Sequence, residues 1–237
     1  MEMKFLRQRV LAFTLIELLV VIVIVAVLMG LAFPIFQGVQ NQAKKTQAKN
    51  DLVQIVTAVN GYYTEYGKYP VIVTVATNDA FFGGGTVPTG ATSYADNDVL
   101  IDVLRNNTGG PNNSGTVTNL NPRGIVFLDV RAVKNNASPT GGIIPNGATG
   151  VAAGARIGVF YDPWGSAYRI LIDTNYDNTV DNPYADNPGG AALTTGVVAW
   201  SFGKNGVLGG GSAGSGFASE TGTAGSYNSS GDVISWQ

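Results

Sequence analysis

Residues 13–36 read Phe-Thr-Leu-Ile-Glu-Leu-Leu-Val-Val-Ile-Val-Ile-Val-Ala-Val-Leu-Met-Gly-Leu-Ala-Phe-Pro-Ile-Phe, an apolar run of membrane length whose one charge, Glu17, lies near its start. A carboxylate inside such a helix costs about 2.5–3.5 kcal/mol on insertion scales, so it is kept where a partner meets it. From Leu18 to Phe36 there are 19 residues without a charge, about 28 Å of helix against a hydrocarbon core of roughly 30 Å. In the preceding residues 1–12, Lys4, Arg7 and Arg9 outnumber Glu2. This bias predicts a cytoplasmic N-terminus, one crossing, and everything downstream on the outer side. The competing reading is a secretory signal cut after Ala32. It leaves Glu17 unexplained, and its apolar stretch exceeds the roughly 7–15 residues usual in such signals.

Beyond Pro34 the pattern becomes amphipathic. Val39, Ala43, Ala48, Leu52, Ile55, Val56, Val59, Tyr62, Tyr63 and Tyr66 recur at helical spacing, with Lys44, Lys45, Lys49, Asp51 and Gln54 between them. One long helix over about 14–66 is predicted, kinked at Pro34, where the ring removes a backbone donor. Gly67 and Tyr69-Pro70 stop it. Farther on, Val71–Val75 reads as a short strand, Gly83–Gly85 as a turn and Asp96–Leu104 as a short helix begun by Asp96 or Asn97. Ile125–Val130, Ile157–Tyr161, Ala167–Asp173 and Val197–Phe202 are β-branched or aromatic runs between turn formers. An antiparallel sheet covered by the second half of the helix follows, an α+β fold.

Composition narrows the chemistry. The chain has 237 residues, no Cys and no His, which excludes disulfides, thiolate zinc sites, Cys nucleophiles and Ser-His relays. Charged residues make up 13% and the formal net charge is −2, so no basic stripe awaits nucleic acid. Paired-carboxylate catalysis needs two acids brought together in an apolar setting, and nothing in the spacing does so. The chain is therefore read as not an enzyme. Trp164, with Tyr161 and Tyr168, invites a ligand-platform reading, but Asp162-Pro-Trp-Gly165 is a good type I turn and the core reading is favoured. Gly83–Gly85 and Gly209–Gly211 lack the Lys-Ser/Thr of a phosphate loop.

Asp173-Thr-Asn-Tyr-Asp-Asn-Thr-Val-Asp181 places oxygen side chains at alternating positions. Asp173, Asn175, Asp177 and Asp181 match the opening places of a calcium loop, although Asn178 stands where Gly is usual and Tyr184 where a bidentate acid is usual, with Asp186 a substitute. Calcium and a plain Asx-turn loop both account for the pattern.

A basic leader, a small residue, Phe-Thr-Leu-Ile-Glu, an apolar run, Pro and an amphipathic helix, in that order, closely resemble the N-terminus of type IV pilins and type II secretion pseudopilins. Tyr62-Tyr63-Thr-Glu-Tyr-Gly-Lys-Tyr-Pro70, Asp162-Pro-Trp-Gly-Ser-Ala-Tyr168, Ser201-Phe-Gly-Lys-Asn-Gly206 and Gly231-Asp-Val-Ile-Ser-Trp236 extend the resemblance, most closely to the major pseudopilin. The resemblance implies a leader at 1–12, a membrane and filament-core helix at 13–36, its amphipathic continuation at 37–67, and a periplasmic or extracellular β-rich domain at 68–237. It implies a prepilin peptidase cut between Ala12 and Phe13, Ala12 standing where the family usually has Gly, and methylation of the Phe13 amine. It further implies Glu17 as the group that sets register between copies, and a second calcium candidate at Asp232. The expected function is a pseudopilus or pilus subunit. Its expected partners are copies of itself, membrane lipid, an inner-membrane assembly platform and ATPase, and minor pilins or pseudopilins. Two alternatives remain: Glu17 as a helix N-terminal carboxylate steadied by the macrodipole, and the whole chain as a single-pass, membrane-anchored exported binding module for carbohydrate or cargo.

Overall fold

The computed structural model describes residues 13–71, 78–84, 88, 91–93, 96–109, 120–184, 186–206, 208, 226–228 and 230–237, without side chains at 31–37. Its first element, α1 (Leu15–Tyr66), is a 52-residue helix, within one residue of the predicted span. Gly67 ends it in the left-handed region at φ 66°, with its N–H donating to the Tyr63 carbonyl at 2.8 Å. Without a Cβ, glycine takes this conformation at no steric cost. The predicted kink at Pro34 lies outside the described side chains, and most of the Val71–Val75 strand lies outside the described residues.

The chain divides into two compact units, Met1–Ala43 and Lys44–Gln237. In the first, every large apolar side chain from Phe13 to Met29 is exposed, between 42% at Val25 and 82% at Leu15. Among the described residues no helix is long and apolar enough to cross a membrane. The charge-free stretch with described side chains, Leu18 to Gly30, is 13 residues, only about 20 Å of helix.

The second unit is built on the rest of α1. Ala48, Leu52, Ile55, Val59 and Tyr62 are buried along one face, spaced by three and four as a core-facing stripe requires. Three residues assigned to that stripe depart from it: Val39 is 61% exposed, Ala43 is exposed as well, and Tyr63 turns outward toward Tyr69, their ring centroids 4.7 Å apart.

Beneath the helix lies a five-stranded sheet ordered β2 (Ala91–Ser93), β1 (Asp79–Phe82), β5 (Arg169–Ile172), β8 (Val197–Ser201) and β9 (Val233–Ile234). Three junctions are antiparallel, but β1 pairs with β2 in parallel, so the sheet is mixed rather than antiparallel throughout. Ala80, Phe82, Ile170, Ile172, Val197 and Ala199 join the core with the helix residues. The alternate residues Phe81, Leu171, Val198 and Trp200 form a second core with Val180, Tyr184 and Leu193, carried by the hairpin β6 (Val180–Asp181) and β7 (Ala192–Leu193). Both faces are thus covered, which is why β5 and β8 read as continuous apolar runs. A second small pair, β3 (Gly142–Ile143) with β4 (Phe160–Tyr161), holds the loops after α2 (Asp98–Leu104).

Two sequence expectations are corrected here. Ile125–Val130 is no strand: the Phe127 and Leu128 amides donate to the Leu104 carbonyl, so this extended segment closes the C-terminal end of α2 instead of joining a ladder. Asn97, just before α2, makes no side-chain cap. Its buried amide bridges the Phe160 and Tyr168 carbonyls at 3.0 and 2.8 Å and accepts from the Phe160 N–H at 2.8 Å.

Asp162 is the polar hub of this unit. It is fully buried; Oδ1 accepts the N–H groups of Trp164, Gly165 and Ser166 at 2.8–2.9 Å, and Oδ2 accepts the Ser201 hydroxyl at 2.6 Å. Burial pushes its carboxyl above the ordinary range, while those donors pull it back. Trp164, held in that turn, is half-buried and packs on the main core, as the core reading anticipated.

Truncating Leu52, fully buried, to Ala should cost about 2–5 kcal/mol, whereas Val53→Ala on the exposed side should stay within about 0.5 kcal/mol; urea denaturation of the two variants makes the comparison. Asp162→Ala removes the acceptor of three half-buried N–H groups and of the buried Ser201 hydroxyl and should lose on the order of 3 kcal/mol in the same measurement.

Candidate functional site

The first candidate site is the N-terminal turn of α1. Thr14 and Glu17 bond reciprocally: the Thr14 N–H and hydroxyl donate to Glu17 Oε2 at 2.8 and 2.7 Å, and the Glu17 N–H donates to the Thr14 hydroxyl at 3.3 Å. This is a capping box, in which Thr at the cap and Glu three residues on satisfy donors that a helix start leaves open. The spacing Thr-x-x-Glu carries that signal in the sequence, and it agrees with the alternative of Glu17 as a helix N-terminal carboxylate. Around the carboxylate, Phe13, Ile16, Val20 and Val21 line a shallow apolar depression of about 380 Å³, on one helix face by their spacing. Ala12, on the other side of the expected cut, lies outside the described residues.

The second candidate site is the loop after β5. Asp173 is buried, and its Oδ2 accepts the Asn178 N–H at 2.8 Å. Asn175 and Asp177 engage each other and the loop: the Asp177 N–H donates to Asn175 Oδ1 at 3.0 Å, and Asp177 Oδ1 accepts the Thr179 N–H and hydroxyl at 2.9 and 2.7 Å. Those Thr179 donors hold the Asp177 carboxyl below its usual range. Asp181 is exposed in β6, opposite Ala192. Asp232 lies elsewhere, its Oδ2 accepting the buried Tyr184 hydroxyl at 2.8 Å.

The structure therefore brings Asp173, Asn175 and Asp177 into one loop and separates Asp232 from them. Asp186, the substitute ligand, is committed to protein donors: Ser226, Tyr227 and Asn228 all bond its carboxylate at 2.7–3.0 Å. Burial pushes that carboxyl up, but the Asn228 and Tyr227 amides and the Ser226 hydroxyl hold it below the usual range. Among the described residues, no group of three or more acidic side chains is arranged to hold a metal ion. A further acid, Asp79 on β1, had no motif to mark it and becomes part of this neighbourhood only through sheet pairing.

The known proteins bear on the first site. The family described as "Prokaryotic N-terminal methylation motif" matches residues 7–33, the stretch that holds Ala12, Phe13 and Glu17. The type II secretion system core protein G of Pectobacterium carotovorum subsp. carotovorum is 39% identical over 64 residues, covering 27% of this chain and 40% of that protein. The chain thus spans less than half the length of the curated relative it matches. No solved structure matches.

Thr14→Ala should open the capping box and cost about 1 kcal/mol at the helix start, while Glu17→Gln, which keeps an acceptor, should cost less. Amide hydrogen exchange at residues 15–18 of the protein in detergent micelles should rank the variants in that order. The chain carries a prepilin-type N-terminal methylation motif followed by an α+β domain, and the likeness to pilin-type proteins read from its first helix is supported by both matches.

Proposed function

We propose that this chain is a structural subunit of a type II secretion pseudopilus or type IV pilus that polymerises through α1 once its leader is removed. The observation that carries the proposal is the exposed apolar surface from Phe13 to Met29 with Glu17 set into it. An apolar surface of that length requires a non-aqueous neighbour. Lipid supplies one before assembly and the helices of other copies supply it afterwards.

In this reading, prepilin peptidase cuts between Ala12 and Phe13, and the exposed α-amine, methylated on Phe13, is cationic at neutral pH. Thr14 and Glu17 both survive the cut, so the capping box still holds the carboxylate at the first turn. The Phe13 ammonium of a neighbouring copy then pairs with it. At about 4 Å and an effective dielectric near 20 the attraction is about 4 kcal/mol before desolvation. Capping and register are thus two uses of one carboxylate: its own helix fixes the group in place, and the neighbour's amine completes its charge balance. Heterologous contacts that do not close a ring extend into a fibre.

The subunit starts in the inner membrane as a single pass, N-terminus cytoplasmic and C-terminal domain periplasmic. From there it passes, through an assembly platform and ATPase and alongside minor pilins or pseudopilins, into a periplasmic or extracellular filament. The role is mechanical: once cut and methylated, the subunit serves as a building block rather than a catalyst.

Mass spectrometry of the protein from native membranes should find a methylated Phe13 as the first residue. Glu17→Ala should leave insertion and processing intact but remove the protein from the sheared filament fraction. A parent protein that begins elsewhere, or that stays a membrane monomer as an anchored binding module would, overturns the proposal, and so does a variant that assembles normally.

A further inference from the structure

Between the start of the buried half of α1 and the loops that flank β3 lies a cavity of about 260 Å³. Its wall carries Lys44, Arg131 and Lys134, together with Gln47 and Thr140, and no acidic side chain. Backbone joints hold these groups in place. The Ile143 N–H donates to the Arg131 carbonyl at 3.0 Å and the Val133 N–H to the Ile143 carbonyl at 2.8 Å, which sets 131–134 alongside 141–143. The Gly141 N–H donates to the Asp162 carbonyl at 2.7 Å, and Arg131 Nε donates to the Gly141 carbonyl at 2.5 Å. Among the described residues the Arg131 Nη groups make no hydrogen bond, and none of the three cations forms an ion pair.

Gln47 Nε2 is buried and has no hydrogen-bond partner of good geometry among the described residues. One helical turn on is Asp51. Burial raises its carboxyl, while the Tyr168 hydroxyl, which donates to it at 2.8 Å, the Arg131 charge and Gln47 pull it back. This one acid, set behind the wall, offsets part of a single cation and leaves the cavity positive. A Cβ on Gly141 would stand 2.7 Å from Gln47 Nε2 and 3.0 Å from Arg131 Nη2. The two donors thus flank one spot, kept clear because the residue beside it, at φ 56°, has no side chain.

A buried amide without a partner costs free energy that an acceptor in the cavity would recover. Donors approach from α1, from the 131–134 segment and from Thr140, so the fitting acceptor has oxygens on several sides. A carboxylate holds its two in one plane, whereas a phosphate spreads its oxygens around a tetrahedron, and Arg and Lys are the side chains that recognise it.

We propose that this cavity binds a phosphate group, with Arg131 Nη2 and Gln47 Nε2 donating to its oxygens and the exposed Lys44 and Lys134 supplying charge at the mouth. A phospholipid headgroup and inorganic phosphate both present that chemistry. Eight positions separate Phe36, the end of the apolar run, from Lys44, so in a chain anchored as proposed above the abundant phosphate nearby belongs to lipid. The lipid source rests on that reading; the phosphate site does not.

The test uses the full chain in dodecyl maltoside micelles, which carry no phosphate. In one arm sodium phosphate is titrated against sodium acetate at matched ionic strength, with thermal melting as the readout. In the other, dioleoyl phosphatidylglycerol or uncharged dioleoyl glycerol is mixed into the micelles, and native mass spectrometry counts the lipid that stays bound. Phosphate should raise Tm where acetate does not, and phosphatidylglycerol should be retained where the uncharged lipid is not. Arg131→Gln should weaken binding about tenfold or more. Lys44→Gln and Lys134→Gln, at exposed positions where folding does not depend on the charge, should each weaken it about two- to fivefold. Lys204→Gln, exposed and outside the cavity wall, should change nothing. Lipid retention that the cavity variants lose assigns the site to a headgroup. A response to inorganic phosphate alone keeps the site and overturns lipid as its source, while the membrane reading is judged separately by the first residue of the native protein. No response in either arm, an equal response to acetate, or binding that Lys204→Gln weakens as much as the cavity variants do overturns the proposal.

Discussion

The helix α1 has to satisfy two different solvents along one uninterrupted backbone, and the rest of the molecule follows from that demand. From Ala48 to Tyr62 its apolar side chains are buried against the sheet, an ordinary amphipathic arrangement driven by removal of hydrocarbon from water. From Phe13 to Met29 the apolar side chains are exposed on all sides. A surface of that kind calls for an apolar neighbour. Helical propensity does not explain the difference, since the first half is helical although rich in β-branched Val and Ile; what separates the two halves is whether polar residues interrupt the apolar ones.

The globular unit shows how a domain with few charges holds its loops. Asp162 collects three backbone amides and the Ser201 hydroxyl, Asn97 ties β4 to β5, and the Tyr168 hydroxyl donates to Asp51 on α1 at 2.8 Å. Each is a buried polar group engaged by hydrogen bonds, which rigidifies the packing around it. The excursion from 174 to 196 covers the second face of the sheet through Val180, Tyr184 and Leu193. It is a layer of the core rather than an ornament.

Much of this was legible in the chain. The extent of α1, its stop at Gly67, the short helix before Leu104 and the strands around Ile170 and Val198 all follow from periodicity and turn formers. The capping role of Glu17 was legible too, in the Thr14-x-x-Glu17 spacing. Other features could not be read. Ile125–Val130 has strand composition, yet its amides find the end of α2, and composition does not say which acceptor an extended segment will meet. Asn97 has the look of a helix cap, yet its amide is taken by β4, which lies more than sixty residues later.

What the sequence by itself determined is the linear grammar: a basic start, a long apolar run, one carboxylate, a continuing amphipathic helix and a set of short strands. These are local properties, set by residue spacing against the 3.6- and 2-residue periods of helix and strand. Only the tertiary structure decided which strands lie side by side. That choice made the sheet mixed and gave it two covered faces. Pairing between distant strands depends on register and on which apolar faces meet, and a one-residue slip would turn every side chain of a strand to the other face.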